Sequence, residues 1–238
     1  MALYGILGGI DGNLEALRSV LAAFDARGVK KLACVGNIVG YNADPDECGE
    51  LLRARKAVAV AGEFDRIATG LFGFGACPGR ERHALARTRR DLRADTTAWL
   101  RALPPSRALD DDLALGARAR VGFVAGSEAA AQGLCRLDRG RTYLLSPGSV
   151  DAQRKSHRFA ECAVFDSDAW TIEFLRLRYD AAATEAKAAV GGYRSLPVFD
   201  FFYGLERIPQ LASRVARSAL SALPAPRRAG TIIGTSAR

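Results

Sequence analysis

The sequence predicts an α/β fold of two packed sheets with helices outside them, and three observations support this class. The first half contains three successive units of an apolar strand, a polar loop and a helix-like segment, a pattern typical of a parallel sheet with right-handed crossovers. After Pro104-Pro105 the pattern changes to short strands separated by turns. The length of 238 residues suits one large domain with a sizeable core.

Local signals mark the elements of the first half. Apolar runs that end in polar or glycine-rich loops predict three strands, over residues 2–8, 30–36 and 57–62. Asn13 is the expected N-cap of the helix after the first strand, and Gly28 is its expected stop. Asp44 precedes a proline and two acids, so it is the expected cap of the second helix. The loops after these strands should meet at one sheet edge, where open α/β sheets place their chemistry.

The later elements are shorter. A helix is predicted over residues 80–102, broken near Asp95 and with Trp99 facing the core, after a loop or short helix over 66–78. Strands bounded by turn residues are predicted at 107–115, 120–124, 142–145, 161–165 and 171–178. A helix over 179–191, capped by Asp180, follows them. These segments predict a strand-rich second half that packs against the first.

The C-terminal part differs from the rest in composition and sets the predicted boundaries. Residues 1–190 form the expected main domain, and 191–223 combine an aromatic-rich segment with a basic amphipathic helix packed on it. Residues 224–238 are expected to be a flexible tail. Packing of the helix on its own domain, or on a second subunit to give a homodimer, is favoured over the acidic groove of a partner. A membrane surface ranks last, because the apolar face is mostly alanine.

Charge and cysteine content narrow the classes of protein. The formal net charge is +8, of which the arginines from Arg207 onward supply +6 without any acid, leaving +2 for residues 1–206. The body is therefore no nucleic-acid platform, and binding of nucleic acid by the tail is a weaker alternative. No apolar run reaches 18 residues, so no membrane span is expected. Five scattered cysteines and the lack of a basic leader predict a cytoplasmic protein with reduced thiols.

The strand-end loops, taken in order, resemble those of the calcineurin-like metallophosphoesterases, especially the small bacterial phosphodiesterases. That family carries D-x-H-G-N, G-D and G-N-H-D after its first three strands, and later H-G, G-H-x-H and N-P-G-S. This chain has GIDGN at 9–13, VGNIVGYNADPDEC at 35–48, GEFD at 62–65, AGS at 125–127 and SPGSV at 146–150. The resemblance covers roughly residues 3–190. It implies a four-layer α/β/β/α sandwich of two mixed sheets, with a C-terminal helical extension.

The resemblance also implies that most of the family's metal ligands are missing. The family's reaction uses two divalent metals, bridged by an aspartate, which activate a water for attack on phosphorus. Gly9 stands at the position of the first aspartate, and Asn37 at that of the bridging aspartate. Phe64 stands at the catalytic histidine and Ala125 at a later histidine. With G-H-x-H absent as well, no histidine-rich site for a transition metal can be assembled.

Oxygen-bearing side chains remain at three motif positions. Asp11 replaces the first histidine, Asn37 the bridging aspartate, and Glu63 the asparagine of the third loop. One interpretation is a single site for a hard cation such as Mg²⁺ or Mn²⁺. The other, which is favoured, is a hydrogen-bonded polar pocket left after the ligands were lost.

Neighbouring residues have mainly structural interpretations. Asp65 is expected to cap the following helix or to pair with an arginine, and Ser127 has no adjacent base that would make it a nucleophile. His83 is expected on a solvated helix face, and His157 in a basic surface loop. The vestigial cleft is predicted to comprise Gly9, Asp11, Asn13, Asn37, Glu63, Phe64, Asp65, Ala125 and Ser127.

The function predicted from these losses is that of a non-catalytic protein, a pseudoenzyme that works as a binding or scaffold module. No catalytic residue, metal or cofactor is expected, and the partner would be an unknown protein or a small phosphorylated ligand. The alternative is a metal-dependent phosphoesterase or phosphodiesterase rebuilt around one divalent cation. Whether the chain is an enzyme stays open, with the balance against catalysis.

Overall fold

The computed structural model of the chain describes residues 2–75, 77, 79–126, 129, 132–151 and 158–194. The chain divides into two compact units, Met1–Ser195 and Leu196–Arg238, and all described residues belong to the first. The predicted basic helix and tail, Ser127 and His157 lie outside the described residues. Within the described part, no helix has the length and apolar character needed to cross a membrane.

The described elements alternate in the first half and are mainly strands in the second. The strands are β1 (Leu3–Leu7), β2 (Lys31–Cys34), β3 (Val58–Ala59), β4 (Arg107–Ala108), β5 (Leu113–Leu115), β6 (Val121–Phe123), β7 (Gly133–Arg136), β8 (Tyr143–Leu145), β9 (Phe159–Asp166) and β10 (Thr171–Arg178). The helices are α1 (Leu14–Ala26), α2 (Pro45–Ala54), α3 (Glu63–Ala68), α4 (Gly79–Asp91), α5 (Ala94–Ala102) and α6 (Ala181–Val190).

Two mixed sheets organise these strands. The six-stranded sheet has the order β3-β2-β1-β9-β10-β7, in which β1, β2 and β3 run parallel and the other neighbours pair antiparallel. The four-stranded sheet has the order β4-β5-β6-β8, with an antiparallel pair only between β4 and β5. The predicted class, an α/β fold of two mixed sheets with helices, is confirmed.

A hydrophobic core lies on each side of the six-stranded sheet. Helices α1 to α5 bury apolar side chains against one face, among them Leu17, Leu52, Ile67, Leu85 and Leu100. The other face packs on the four-stranded sheet through side chains that include Ile6, Phe123, Phe165 and Ile172. Removing this much apolar surface from water is the main stabilising term of such a fold. The two cores hold the strand ends, and therefore the site, in fixed positions.

A short loop lies on the outward face of the four-stranded sheet in the described part of the chain. In the described residues the loop after β5 folds over Gly122, and the oxygen of Ala117 lies 2.5 Å from where a Cβ on that glycine would be. Leu144, on β8, stays half exposed. The described chain thus supplies a short loop at this face, while its helices lie beside the six-stranded sheet.

Several local predictions are confirmed and others need correction. Asn13 caps α1 by accepting from the Ala16 nitrogen at 3.0 Å, and Asp180 caps α6. The predicted strand over 107–115 is two strands, because the Asp110 carboxylate accepts two backbone N–H groups and forms a turn between them. The long helix breaks at Arg93, just before the expected Asp95, where the Asp46 carboxylate accepts the Arg93 N–H.

One strand escaped sequence analysis. β7 forms one edge of the six-stranded sheet and pairs only with β10, from which it is separated by 35 residues or more along the chain.

No disulfide joins the five cysteines, which agrees with the predicted thiols. Four of the five are buried, and burial raises the pKa of the Cys34 thiol to about 12.

Candidate functional site

The loops after β1 and β2 are joined backbone to backbone at the carboxyl end of the sheet. Gly9 N–H donates to the Gly36 oxygen at 3.0 Å, and the N–H groups of Ile10 and Asp11 both donate to the Asn37 oxygen, at 2.8 and 2.9 Å. The SPGS loop joins the same point, because Asp151 N–H donates to the Gly9 oxygen at 2.7 Å. The expected meeting of the strand-end loops is therefore observed, and main-chain hydrogen bonds hold it together.

Gly9 has no room for a side chain. Its φ is +59°, a left-handed conformation that favours glycine. A Cβ on it would lie 2.5 Å from the hydroxyl oxygen of Ser149. That hydroxyl is itself fixed, since it donates to the Gly9 oxygen at 2.9 Å. A carboxylate at this position, as the family's first metal ligand requires, does not fit the observed backbone.

Asn37 uses its side-chain oxygen to cap a helix. Oδ1 accepts the N–H of Phe64 at 3.1 Å, in the first turn of α3. A Cβ on Gly62 would lie 2.1 Å from the same oxygen, so the third loop packs closely over it. The atom that stands where a metal bridge is expected thus accepts a hydrogen bond from the protein's own backbone. A neutral amide is also a poor bridge between two dications.

Phe64 packs against apolar side chains from other elements. Its ring meets that of Tyr41 edge to face, with the centroids 6.1 Å apart. Both belong to a small apolar cluster with Ala84 of α4 and Tyr193, which follows α6. An aromatic side chain stands where the family places its proton donor, so this position can exclude water but cannot protonate a leaving group.

The three oxygen-bearing candidates differ in their surroundings. Asp11 is 4% exposed, with φ +54°, and the backbone of Gly40 packs against it. Glu63 is exposed on the first turn of α3, while the Asn37 oxygen caps that helix. Among the residues that the structure describes, no group of three His, Cys, Asp or Glu side chains could hold a metal ion. The described residues therefore do not fit the family's two-metal centre.

Asp65 fastens the third loop to the second. Its carboxylate accepts the N–H groups of Ile38 at 2.8 Å, Val39 at 3.0 Å and Gly62 at 2.8 Å. The bond to Gly62 satisfies the expected helix cap, and the other two bridge to the loop after β2. Burial raises the pKa of this carboxyl, although the backbone hydrogen bonds oppose the shift. Asp65 therefore has a structural role, because these hydrogen bonds of its carboxylate all go to backbone groups.

A polar network that the sequence did not suggest lies beside the cleft. Asn13 donates to the Asp151 carboxylate at 2.8 Å and accepts from the Thr184 hydroxyl at 3.0 Å. The same hydroxyl contacts Glu15, which pairs with Lys187 at 2.6 Å. Sequence reasoning placed Asn13 correctly but missed the rest, because Thr184 is 171 residues from Asn13 along the chain.

The prediction that Asp44 caps α2 needs correction. Asp44 stands at the N-cap of α2, but its side chain makes no capping bond and instead pairs with Lys187. Burial tends to lower the pKa of Lys187, and its hydrogen bonds to Asp44 and Glu15 outweigh this and raise it. The ion pairs of Lys187 with Glu15 and Asp44 therefore connect α6 to the N-termini of α1 and α2 at the edge of the cleft.

The chain after α6 lies across the loop that follows β2. Arg194 donates to the Tyr41 oxygen at 2.9 Å and to the Asn42 Oδ1 at 3.0 Å, and it pairs with Glu185. His83 is half-buried, 3.1 Å from the Gly192 oxygen, so its predicted place on a solvated helix face is wrong. This segment therefore contacts the loop that follows β2. Ala125, expected in the cleft, is exposed after β6.

Comparison with known proteins identifies the fold. No family model matches the chain. An uncharacterized protein of Methanocaldococcus jannaschii is 28% identical to it, over 75% of this chain and 88% of that protein. A metallophosphoesterase from Sphaerobacter thermophilus superposes with a TM-score of 0.68 and 24% identity, over 80% of this chain and 94% of that one. A hypothetical protein from Pyrococcus horikoshii has a TM-score of 0.67 and 16% identity, over 82% and 95%.

These likenesses define the class of protein to which the architecture corresponds. The chain has the metallophosphoesterase fold, as its strand-end loops predicted. In that fold the chain carries Gly9, Asn37 and Ala125 at positions that the resemblance assigns to metal ligands, and Phe64 at the position that it assigns to the catalytic histidine.

Proposed function

We propose that this chain is a non-catalytic protein with the metallophosphoesterase fold, which works as a binding or scaffold module. The observation that carries the proposal is the hydrogen bond from the Phe64 N–H to Asn37 Oδ1, at 3.1 Å. It assigns the position of the bridging ligand to the backbone of α3. The close contact between Gly9 and Ser149 supports the same conclusion for the first ligand position.

The loops that metals would hold together in an active relative are held here by the chain itself. The Asp65 carboxylate and the main-chain bonds between the loops supply this cohesion. A protein that has kept this rigid framework without the ligands can present surfaces to a partner. The proposed partner is another protein or a small phosphorylated ligand, and a cytoplasmic location and a homodimer remain proposals with it.

The test is hydrolysis of bis-p-nitrophenyl phosphate and p-nitrophenyl phosphate by the full-length protein with Mn²⁺, Mg²⁺ or Ni²⁺. We expect no release of p-nitrophenol above that of buffer with the same metal, while an active metallophosphoesterase run in parallel turns over. A second measurement follows the melting temperature, which Mn²⁺ should leave unchanged because no site binds it in the folded state.

The matched variant combines Asp11→Asn with Glu63→Ala, because asparagine tolerates the left-handed backbone of Asp11. Metal-dependent turnover in the natural protein that disappears in this variant would overturn the proposal. It would establish the alternative, a phosphoesterase rebuilt around a single cation with oxygen ligands.

A further inference from the structure

The segment Gly70–Gly75, here named the apolar loop, presents large hydrophobic side chains to solvent. Its sequence is GLFGFG, and Leu71 is 50% and Phe72 48% exposed. These two are adjacent in the chain, whereas the other large exposed hydrophobic residues of the described part stand apart from each other. Neighbouring exposed apolar side chains on a folded surface commonly mark a contact site.

Three arginines hold the main chain of the apolar loop and its approach. Arg89 donates to the Ile67 oxygen and, at 2.8 Å, to the Phe72 oxygen. Arg101 donates twice to the Thr69 oxygen, at 2.7 and 3.0 Å. Arg82 donates to the Phe74 oxygen at 3.2 Å. The loop is therefore ordered before any partner binds, so the conformational entropy needed to order it is lost on folding and not on binding.

Guanidinium groups also lie over the aromatic rings of the loop. The Arg66 Cζ is 5.4 Å from the centroid of Phe72, and the Arg89 Cζ is 4.2 Å from that of Phe74. Phe72 nevertheless stays 48% exposed. Around Gly73 and Gly75 a Cβ would meet nothing within 4 Å, so another chain can approach the backbone there.

The arginines around the loop keep their positive charge uncompensated. Carbonyl oxygens and aromatic rings are neutral partners, and within the part of the chain that the structure describes none of Arg66, Arg82, Arg89 and Arg101 forms an ion pair. Arg53 and Arg55, by contrast, each pair with an aspartate. Four arginines without an ion pair among the described residues thus lie around the apolar loop, beside the half-exposed side chains of Leu71 and Phe72.

We infer that the apolar loop and these four arginines form a docking surface for an acidic peptide segment that contains apolar side chains. The inference rests on the proposed function, because it names the chemistry of a partner for a binding module. Charge complementarity selects the occupant: carboxylates would meet the guanidiniums, while an apolar side chain would pack on Leu71 and Phe72. Arginine and aromatic residues are enriched in protein interfaces relative to the rest of the surface.

Other occupants fit the surface less well. The segment from Arg207 onward carries six arginines and no acidic side chain, so neither it nor its copy in a second chain offers the side-chain carboxylates that would pair with the guanidinium groups. Two half-exposed apolar side chains offer little area for insertion into a membrane. An acidic, partly apolar peptide is the class that satisfies both the charge and the anchors.

The experiment measures binding of two short fluorescein-labelled peptides to the full-length protein by anisotropy. One peptide alternates Glu with Leu and Phe, and the other replaces each Glu by Lys. We expect the acidic peptide to bind at least about tenfold more tightly, with an affinity that falls as salt rises. Equal affinity for the two peptides overturns the inference.

Variants locate the site. Leu71→Ser with Phe72→Ser should weaken binding of the acidic peptide by about tenfold, while the matched control Leu134→Ser, 72% exposed on β7, should leave it unchanged. Arg66→Gln should weaken it more than Arg118→Gln, an exposed arginine elsewhere. Arg66 is chosen because it makes no hydrogen bond to the loop's carbonyls in the described contacts. Because every variant keeps the basic tail, binding by the tail cancels from each comparison.

Equal losses from the loop variant and the Leu134 control overturn the inference. A vesicle assay separates the membrane alternative: sedimentation with vesicles of phosphatidylcholine and phosphatidylserine that the loop variant abolishes, without peptide binding, assigns the loop to a membrane instead and also overturns it. Failure here is distinct from failure of the proposed function, which is measured by metal-dependent hydrolysis. Circular dichroism melts confirm that each variant is folded.

Discussion

Asn37 Oδ1 lies 3.1 Å from the backbone nitrogen of Phe64 and accepts its hydrogen bond, so the side chain at the bridging-ligand position caps α3. Asn37 itself is in the left-handed region, with φ +52°. Asparagine and aspartate tolerate that region better than other residues with a side chain. The polar side chain at this position therefore has a structural role that requires no metal.

Asn37→Ala should destabilise the protein by about 1–2 kcal/mol, because it removes the cap and leaves a strained backbone. Asn37→Gly should cost less, since glycine relieves the strain while still losing the cap. Asn37→Asp should be nearly neutral, as an aspartate accepts the same hydrogen bond at a helix N-terminus. Urea unfolding at pH 7 gives the three values. If alanine and aspartate prove equally destabilising, the cap contributes nothing.

Gly9→Ala should cost about 2 kcal/mol or more, because the new Cβ would lie 2.5 Å from the Ser149 oxygen in a backbone with φ +59°. Adding Ser149→Gly removes the steric part and should recover some of the loss, whereas the cost of the left-handed conformation remains. A double-mutant cycle by urea unfolding measures the coupling between the two positions. Strict additivity would show that the serine does not restrict this site.

The sequence was sufficient for those features that depend on local patterns or on strand order. Parallel strands place their carboxyl ends at one edge, so the meeting of the Gly9 and Asn37 loops followed from three strand–loop–helix units. Asn13 and Asp180 cap helices because the signal lies within three residues of the bond. The absence of room at Gly9, by contrast, depends on Ser149, which is distant in sequence.

Features set by long-range partners could not be predicted. Asp44 has every local mark of a capping residue, yet its carboxylate pairs with Lys187, 143 residues away. At this partly buried position the ion pair with the lysine is stronger than a capping hydrogen bond to a backbone N–H group, and water can bind that N–H group instead. β7 is short, and its partner β10 defines it as a strand. His83 lies among arginines in the sequence but meets the chain after α6 in the fold.

Lys187→Met should destabilise the protein by about 1–2 kcal/mol at pH 7, because it leaves the carboxylates of Glu15 and Asp44 without their cation. Burial tends to raise the pKa of Glu15, and the hydrogen bond from Lys187 outweighs it, so the net pKa is lowered. A lowered carboxyl pKa stabilises the fold above the usual value of 4.5 and ceases to do so as the pH falls through the folded pKa. The deficit of the variant should therefore shrink in acid.

Urea unfolding of Lys187→Met at pH 7 and at a pH below 4.5 checks both parts of this prediction. The matched control is Lys30→Met, which removes an exposed lysine before β2. It should change the free energy of unfolding by no more than about 0.5 kcal/mol. A deficit in Lys187→Met that is the same at both pH values would rule out the ion pair as its cause.

Asp65→Asn should destabilise the protein by about 2 kcal/mol, because an amide offers one acceptor oxygen where the carboxylate serves three N–H groups. The pH dependence has an unusual sign. Burial raises the pKa of Asp65 above its usual 3.8, so the folded state holds this proton more tightly than the unfolded state does. The contribution of Asp65 is therefore complete below the usual pKa and declines as the pH rises through the folded pKa. Urea unfolding of both proteins between acid and neutral pH should show the variant's deficit narrowing as the pH increases, and a deficit that widens would mean that the three hydrogen bonds outweigh burial.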